Sequence, residues 1–265
     1  MYNEHDRPWC LLPGLYCSMP RRWFDCTRQS ATRYVRLLNP VDTTLSDKPD
    51  VLFSFLGNSQ IALRREILKL KNPRAILEDT STFNAFFAEE RTNNHARYAN
   101  VLRRSKFVLC PRGSGTSSFR LFETLRAGRV PIIISDQWVA PEGPNWSSCS
   151  LQVQERNIAE IGPLALNMEG RWPEMADAAR QVWNDWFSDE VLFDRFGDAL
   201  AAILERRVIP EFAAQRIPNI LEWDWRLRRG VHHLSSRFPW NRRATHRNVL
   251  AGGDKIATSH AAQAE

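Results

Sequence analysis

The sequence has no apolar run approaching the ~18 residues that a membrane-spanning helix needs. Its opening, MYNEHDRPWC, lacks the basic start and apolar centre of a secretory leader. Its five cysteines, Cys10, Cys17, Cys26, Cys110 and Cys149, are odd in number and contain no CxxC pair. That pattern signals neither a disulfide framework nor a zinc site, and a reducing cytoplasm is the expected setting. There is no Asp-x-Asp and no cluster of histidines with carboxylates, so neither an essential metal nor a cofactor is expected. Both common phosphate fingerprints, GxGxxG and GxxxxGK[ST], are missing. So are any known nucleic-acid motif and the interleaved aromatics of a nucleic-acid surface, and no nucleic-acid partner is expected.

What remains is the composition of a folded protein, 43% hydrophobic and 25% charged over 265 residues, enough for one large domain or two small ones. The net charge of +6 comes mostly from arginine and suits an acidic small molecule, a nucleic acid or an anionic membrane surface without choosing among them. Residues 1–50 are cut by Pro8, Pro13, Gly14, Pro20, Pro40 and Pro49 into pieces too short for a domain of their own. They read either as the remnant of an N-terminal domain or as an arm lying on the main one. From residue 51 the pattern changes to strands separated by helices: strands at 51–56, 74–78, 106–110, 130–135 and 149–153, with helices from about 60, over 93–105 and over 119–127. Such alternation predicts an α/β fold with a parallel, doubly wound, Rossmann-like sheet. Further helices are expected over 157–168 (broken at Gly162-Pro163), 173–187 and 191–207. A polar loop at 79–82 lies at a strand end, where such sheets bind ligands. A loop at 137–145 is expected to pass over the site. Trp183 and Trp186 read as core residues. Residues 226–265 turn basic and then Ala/Gly/Ser-rich, the composition of a disordered tail.

Residues 106–136, KFVLCPRGSGTSSFRLFETLRAGRVPIIISD, organise the rest. Pro111 closes a strand, Gly113 and Gly115 bracket Ser114, and Thr116, Ser117 and Ser118 are all competent helix N-caps. Gly128 then stops the helix. The glycines are expected to take positive φ and admit a ligand to the backbone. A glycine loop entering a helix N-terminus favours an anion. Arg112 before the loop and Arg120 in the first turn add positive charge. A cation there opposes the helix dipole, so a negative group is expected beside Arg120.

The ordered run CPRGSG, SFRLFETL, RAGRVP, IIISDQW closely resembles the signature of exostosin-type glycosyltransferases, with Thr124 where alanine is common. The resemblance covers roughly residues 51–161 and is fragmentary before them. It implies the nucleotide-sugar-binding half of a GT-B-type fold, with a reduced or truncated N-terminal part. Domain limits of 1–50, 51–225 and 226–265 follow. It further implies sugar transfer from a nucleotide-diphosphate sugar, with UDP the expected nucleotide, to a glycan or related acceptor, by inversion and without metal. On this basis the donor is held by Gly57, by Arg64 or its neighbour Arg65, and by Arg112, Gly113, Ser114, Gly115, Thr116, Ser117, Ser118, Arg120 and Glu123. Arg120 is assigned the diphosphate. Glu123 is assigned the ribose hydroxyls, because a carboxylate has paired acceptors for a vicinal diol. The alternative for that pair is an i,i+3 ion pair on the helix surface. No catalytic base stands out: Glu4, His5, Asp6 and Asp25 are the N-terminal candidates, and His232-His233 reads as surface. Two further readings stay open: a non-catalytic nucleotide-sugar-binding remnant or half of a split enzyme, and a basic module for nucleic acid or anionic lipid. The basic C-terminal region would serve peripheral membrane contact.

Overall fold

Proline and glycine divide the first 39 residues so finely that only short extended pieces can form. The computed structural model shows three: β1 (Tyr2–Asn3), β2 (Gly14–Tyr16) and β3 (Gln29–Ala31), paired in parallel in the order β1-β2-β3. The structure describes residues 1–6, 8, 12–39, 48–82 and 88–206, all within one unit spanning 1–208. His232, His233 and the basic tail lie outside the described residues.

The main sheet begins with β4 (Val51–Gly57), all seven residues of which are buried, followed by α1 (Ala62–Leu68) and β5 (Ala75–Asp79). Then come α2 (Ala88–Arg104), β6 (Ser105–Pro111), α3 (Phe119–Arg126), β7 (Val130–Ile134), the single turn α4 (Trp146–Cys149) and β8 (Leu151–Gln152). All five strands run parallel in the order β5-β4-β6-β7-β8. This is the Rossmann-like arrangement the alternation predicted, with β6 at its centre. Side chains leave a strand on alternate faces, and the core is accordingly double. Val108 and Cys110 join Val101, Leu102, Leu121 and Leu125 of α2 and α3, while Phe107 and Leu109 join Leu63, Ile67 and residues of α5 (Ile161–Met168). α6 (Trp172–Val182) and α7 (Leu192–Glu205) complete the chain, and Leu15 of β2 packs on Leu192, Phe196 and Ile203 of α7. Among the described residues no helix is long and apolar enough to cross a membrane.

Three local expectations need correction. Gly162-Pro163 does not break a helix but opens α5, where the missing proline N–H lies in the first turn and costs nothing. The expected strand at 149–153 is cut to Leu151–Gln152, because Cys149 belongs to the α4 turn and Ser150 caps it. Gly128 (φ +59°) does end α3 in the left-handed region, but Gly113 and Gly115 are not among the glycines with positive φ.

Candidate functional site

The chain runs from β4 out to β5, then returns past β4 to place β6 on its other side. That reversal leaves a crevice at the C-terminal ends of β4 and β6. A cavity of about 250 Å³ opens there, lined by Gly57, Asn58, Arg64, Arg120, Glu123 and Tyr98 among others. Four expected site residues on two separate sequence segments therefore meet, joined by Ser118 at the N-cap position of α3.

Among the described residues the two arginines are held by neutral oxygens. Arg120 donates through Nη2 to the Leu56 carbonyl, its guanidinium lies 4.8 Å from the Phe55 ring centre, and its Nε is buried with no hydrogen-bond partner. Gly57 is needed for this approach: a Cβ there would come within 3.0 Å of Arg120 Nη2 and 2.8 Å of the Phe55 ring. Arg64, not Arg65, turns into the cavity, donating to Asn58 Oδ1 (3.0 Å) and the Arg112 carbonyl (3.2 Å), whereas Arg65 binds the carbonyls of Ser59 and Gln60 on the surface. Burial, then the positive charges of Arg120 and Arg112, pull the Arg64 pKa down to about 10, with Asp6 opposing. The negative group expected beside Arg120 is not supplied by Glu123: no ion pair joins them, and among the described residues Arg64 and Arg120 have no carboxylate partner within 4 Å. Two buried-edge cations sharing one cavity favour an anionic ligand.

Glu123 is 1% exposed, far from a surface ion pair. Its Oε2 accepts from the Tyr98 hydroxyl (2.7 Å) and Asn39 Nδ2 (3.1 Å), and its Oε1 accepts from the Asn39 backbone N–H (2.9 Å) and Asn39 Nδ2 (3.0 Å). Burial and the neighbouring Glu123 charge push the Tyr98 hydroxyl well above its ordinary pKa, so it stays a proton donor.

The glycine loop itself behaves differently. Ser18 Oγ, arriving just after β2, accepts from the backbone N–H groups of Thr116 (2.7 Å) and Ser117 (3.2 Å). A Cβ on Gly115 would overlap Ser18 Oγ and the Asp6 carboxylate, so this glycine admits the protein's own N-terminal segment rather than a ligand. Gly115, Thr116 and Ser117 are buried, Ser114 is exposed, and Arg112 turns away to pair with Glu155 (2.8 Å). Gly113 lies beside Arg64 but outside the cavity lining. None of residues 112–117 lines the cavity, and neither does any of 137–145. That last loop instead binds the N-terminal part, through Arg21 N–H to the Gln137 carbonyl (2.9 Å), and packs Trp138 on Trp146.

Of the acid–base candidates, Glu4 is engaged by the Tyr2 hydroxyl and Val35 N–H, and Asp25 by Thr27 and Arg28. Asp6 alone reaches the loop. Glu78 pairs with Arg97 and Asp79 with Ser81, but Thr80 beside them lines the cavity, as do Asn94 and His95. Sequence reading missed Asn39, Asn58, Asn94, His95 and the polar role of Tyr98. A tyrosine on an inward helix face needs a partner for its hydroxyl, and that was the available signal for Tyr98. Nothing local marked Asn39, 84 positions away from Glu123. Among the described residues, no three His, Cys, Asp or Glu side chains are grouped to hold a metal ion.

Residues 18–167 match the family model of the exostosin GT47 domain, more than half of the chain and starting well before residue 51. The chain belongs to the exostosin GT47 family. The early start agrees with the docking of residues 18 and 39 on α3 and its loop. An exostosin-1 homolog of Caenorhabditis elegans is 39% identical over 101 residues, covering 37% of this chain and 26% of the relative. Exostosin-2 of Bos taurus is 29% identical over 148 residues, covering 50% of this chain and 21% of the relative. The match thus spans about a quarter or less of these curated relatives. A solved glycosyltransferase from Rickettsia africae ESF-5 aligns with TM-score 0.39 and 12% identity, over 74% of this chain and 63% of that one, too loose a likeness to bear on the site.

Proposed function

We propose that this exostosin GT47 chain transfers a sugar from a nucleotide-diphosphate donor, a UDP-sugar, to a glycan or related acceptor, as the donor-binding half of a GT-B-type enzyme. The observation that carries the reading is the shared cavity of Arg64, Arg120 and Glu123 at the switch point of the sheet, with neither arginine paired to a carboxylate among the described residues. Here the diphosphate lies between Arg64 and Arg120, against the N–H groups of Phe119 and Arg120 that open α3, since the next one, of Leu121, bonds the Ser118 carbonyl (3.1 Å). The ribose turns toward Glu123, and the base toward Thr80, Asn94 and His95. In this reading residues 51–225 form the donor unit and residues 1–50 belong to the acceptor side or lie as an arm on the donor unit.

The chemistry follows from where charge develops. As an acceptor hydroxyl attacks the anomeric carbon, the bond to the diphosphate oxygen breaks and its electron pair leaves on that oxygen. Arg64 and Arg120 are already in place to receive this charge, so the site need not reorganise and needs no divalent cation for the purpose. The hydroxyl proton goes to a base that is not assigned. Attack from the face opposite the diphosphate inverts the anomeric centre.

The test is calorimetric titration of UDP, followed by release of UDP from a panel of UDP-sugars with oligosaccharide acceptors, with and without chelator. Product configuration by NMR reports inversion. Absence of UDP binding would remove the reading. Binding without transfer to any acceptor would favour the non-catalytic or split-enzyme alternative. A contact of the basic C-terminal region with anionic membranes is a separate expectation, tested by vesicle co-sedimentation of the full chain.

A further inference from the structure

Glu123 has no acceptor site left for a donor. An ionised carboxylate offers about four lone-pair positions, and four hydrogen bonds fill them: one from Tyr98 and three from Asn39. The two partners are not equivalent. Tyr98 is a core residue of α2, packed in the same cluster as Leu121 and Phe122. Asn39 lies in a segment whose described residues, 32–39, form no helix or strand. That stretch is fastened at Arg33, which is fully buried, and at Tyr34, stacked on Phe119 at 3.8 Å, while Leu38 beside Asn39 is 60% exposed. Asn39 presents two donors, its backbone N–H and its side-chain amide, to the two carboxylate oxygens. A vicinal diol presents two hydroxyl donors to the same pair.

Resting on the ribose role of Glu123 just proposed, we infer that Asn39 is an internal competitor of the donor: it occupies the ribose position on Glu123 and must leave when a nucleotide binds. The exchange leaves no buried carboxylate oxygen unpaired, because the diol replaces the donors that Asn39 withdraws and Tyr98 stays in place. A second contact points the same way. Asp6, also N-terminal, brings its carboxylate against Gly115, outside the cavity lining, and offsets part of the positive charge on Arg64, which does line it. The N-terminal segment thus reaches the cavity directly through Asn39 and acts on Arg64 through the charge of Asp6. Donor affinity is then set by how readily this segment yields as well as by contacts to the donor.

The experiment compares the full-length wild-type chain with Asn39→Ala and Asn39→Ser, titrated with UDP and with 2′,3′-dideoxyuridine 5′-diphosphate. Circular dichroism confirms that each variant is folded. Removing the side-chain amide frees Glu123 of two charge-assisted bonds, so UDP should bind Asn39→Ala about tenfold more tightly than wild type. The dideoxy nucleotide has no diol to donate, so its affinity should change by less than about twofold on the same substitution. Asn39→Ser, which keeps a shorter donor, should fall between. Equal or weaker UDP binding by both folded variants overturns the competition while leaving the donor reading intact, because the wild type still binds UDP. Tighter binding of UDP and the dideoxy nucleotide alike also overturns it, since the gain would not pass through the diol. If the folded wild type does not bind UDP at all, the donor reading and this inference fall together.

Discussion

At the helix end of the 112–123 motif, Ser118, Arg120 and Glu123 face the cavity at the mouth of the sheet. At its loop end, Gly115, Thr116 and Ser117 lie buried beneath Ser18 and Asp6 of the N-terminal segment. The two ends are only a few residues apart, and both carry groups suited to an anion. They differ in what reached them first. Main-chain amides are obligatory donors and take whatever acceptor the fold supplies, and here a serine hydroxyl from the same chain supplies it. A guanidinium can bond neutral acceptors and keep its charge unmatched, and among the described residues Arg64 and Arg120 donate to carbonyl and amide oxygens and pair with no carboxylate. A glycine loop before a helix therefore does not by itself show which of its amides are open to a ligand.

The largest effects should come from the helix end. Glu123→Gln should weaken UDP by roughly ten- to a hundredfold, the worth of a charge-assisted hydrogen bond. Arg120→Ala should lose UDP to a similar degree but uridine far less, and its loss should shrink with added salt as screening removes the charge term. Calorimetry on both ligands at two ionic strengths checks this. Unchanged affinity in both variants would erase the distinction between the two ends.

At the loop end the expected effect is on folding. Gly115→Ala forces a methyl group into Ser18 and Asp6, an overpacking cost of about 1–3 kcal/mol. Denaturant unfolding should show it, while UDP binding by the folded fraction stays near that of the wild type. A loss of UDP affinity without a loss of stability would mean that the loop contacts the donor after all.

The comparison of arginines sharpens the same point. Arg64→Ala should weaken UDP about tenfold, because it removes a cation facing the phosphate end of the cavity. Arg112→Ala should leave UDP affinity within about twofold of wild type and cost no more than ~1 kcal/mol of stability, since its partner Glu155 sits near the surface. Equal effects from the two substitutions would put Arg112 back in the site.

The smallest expected effect lies far from the cavity. Glu169 is bonded by Arg74 and Lys106, which hold its carboxyl down at about 2. A folded-state pKa below the unfolded one gives stability that is present above about pH 4.5 and fades as pH falls toward 2. Glu169→Gln should therefore lower stability at neutral pH by up to about 1 kcal/mol, with the difference from wild type vanishing at low pH. A constant difference across that window would assign the effect to packing.

Much of the frame was legible in sequence because its signals are local. Buried β-strand runs such as 51–56 and 106–110, the apolar stripe of Leu63 and Ile67, and Gly128 after a helix each report on their own neighbourhood. The ordered exostosin-like segments named the family for the same reason. Gly162-Pro163 misled because a proline that breaks a helix interior is harmless in a first turn, and the difference depends on where the helix begins. The positive φ expected at Gly113 and Gly115 failed because glycine serves close approach as readily as unusual backbone, and only the neighbour tells which.

Hydrophobic periodicity and the glycine punctuation by themselves determined that strands and helices alternate from residue 51 to about residue 152, and hence that the sheet is parallel. Side-chain chemistry in the 112–123 segment also determined that an arginine and a glutamate share the first turns of α3. Tertiary structure alone decided that Arg64 joins Arg120 while Arg112 leaves for Glu155, that Ser18 takes the loop amides, and that Asn39 closes over Glu123. Those contacts join residues tens of positions apart, and such pairings are set by the docking of one finished element on another, which no short stretch of sequence encodes.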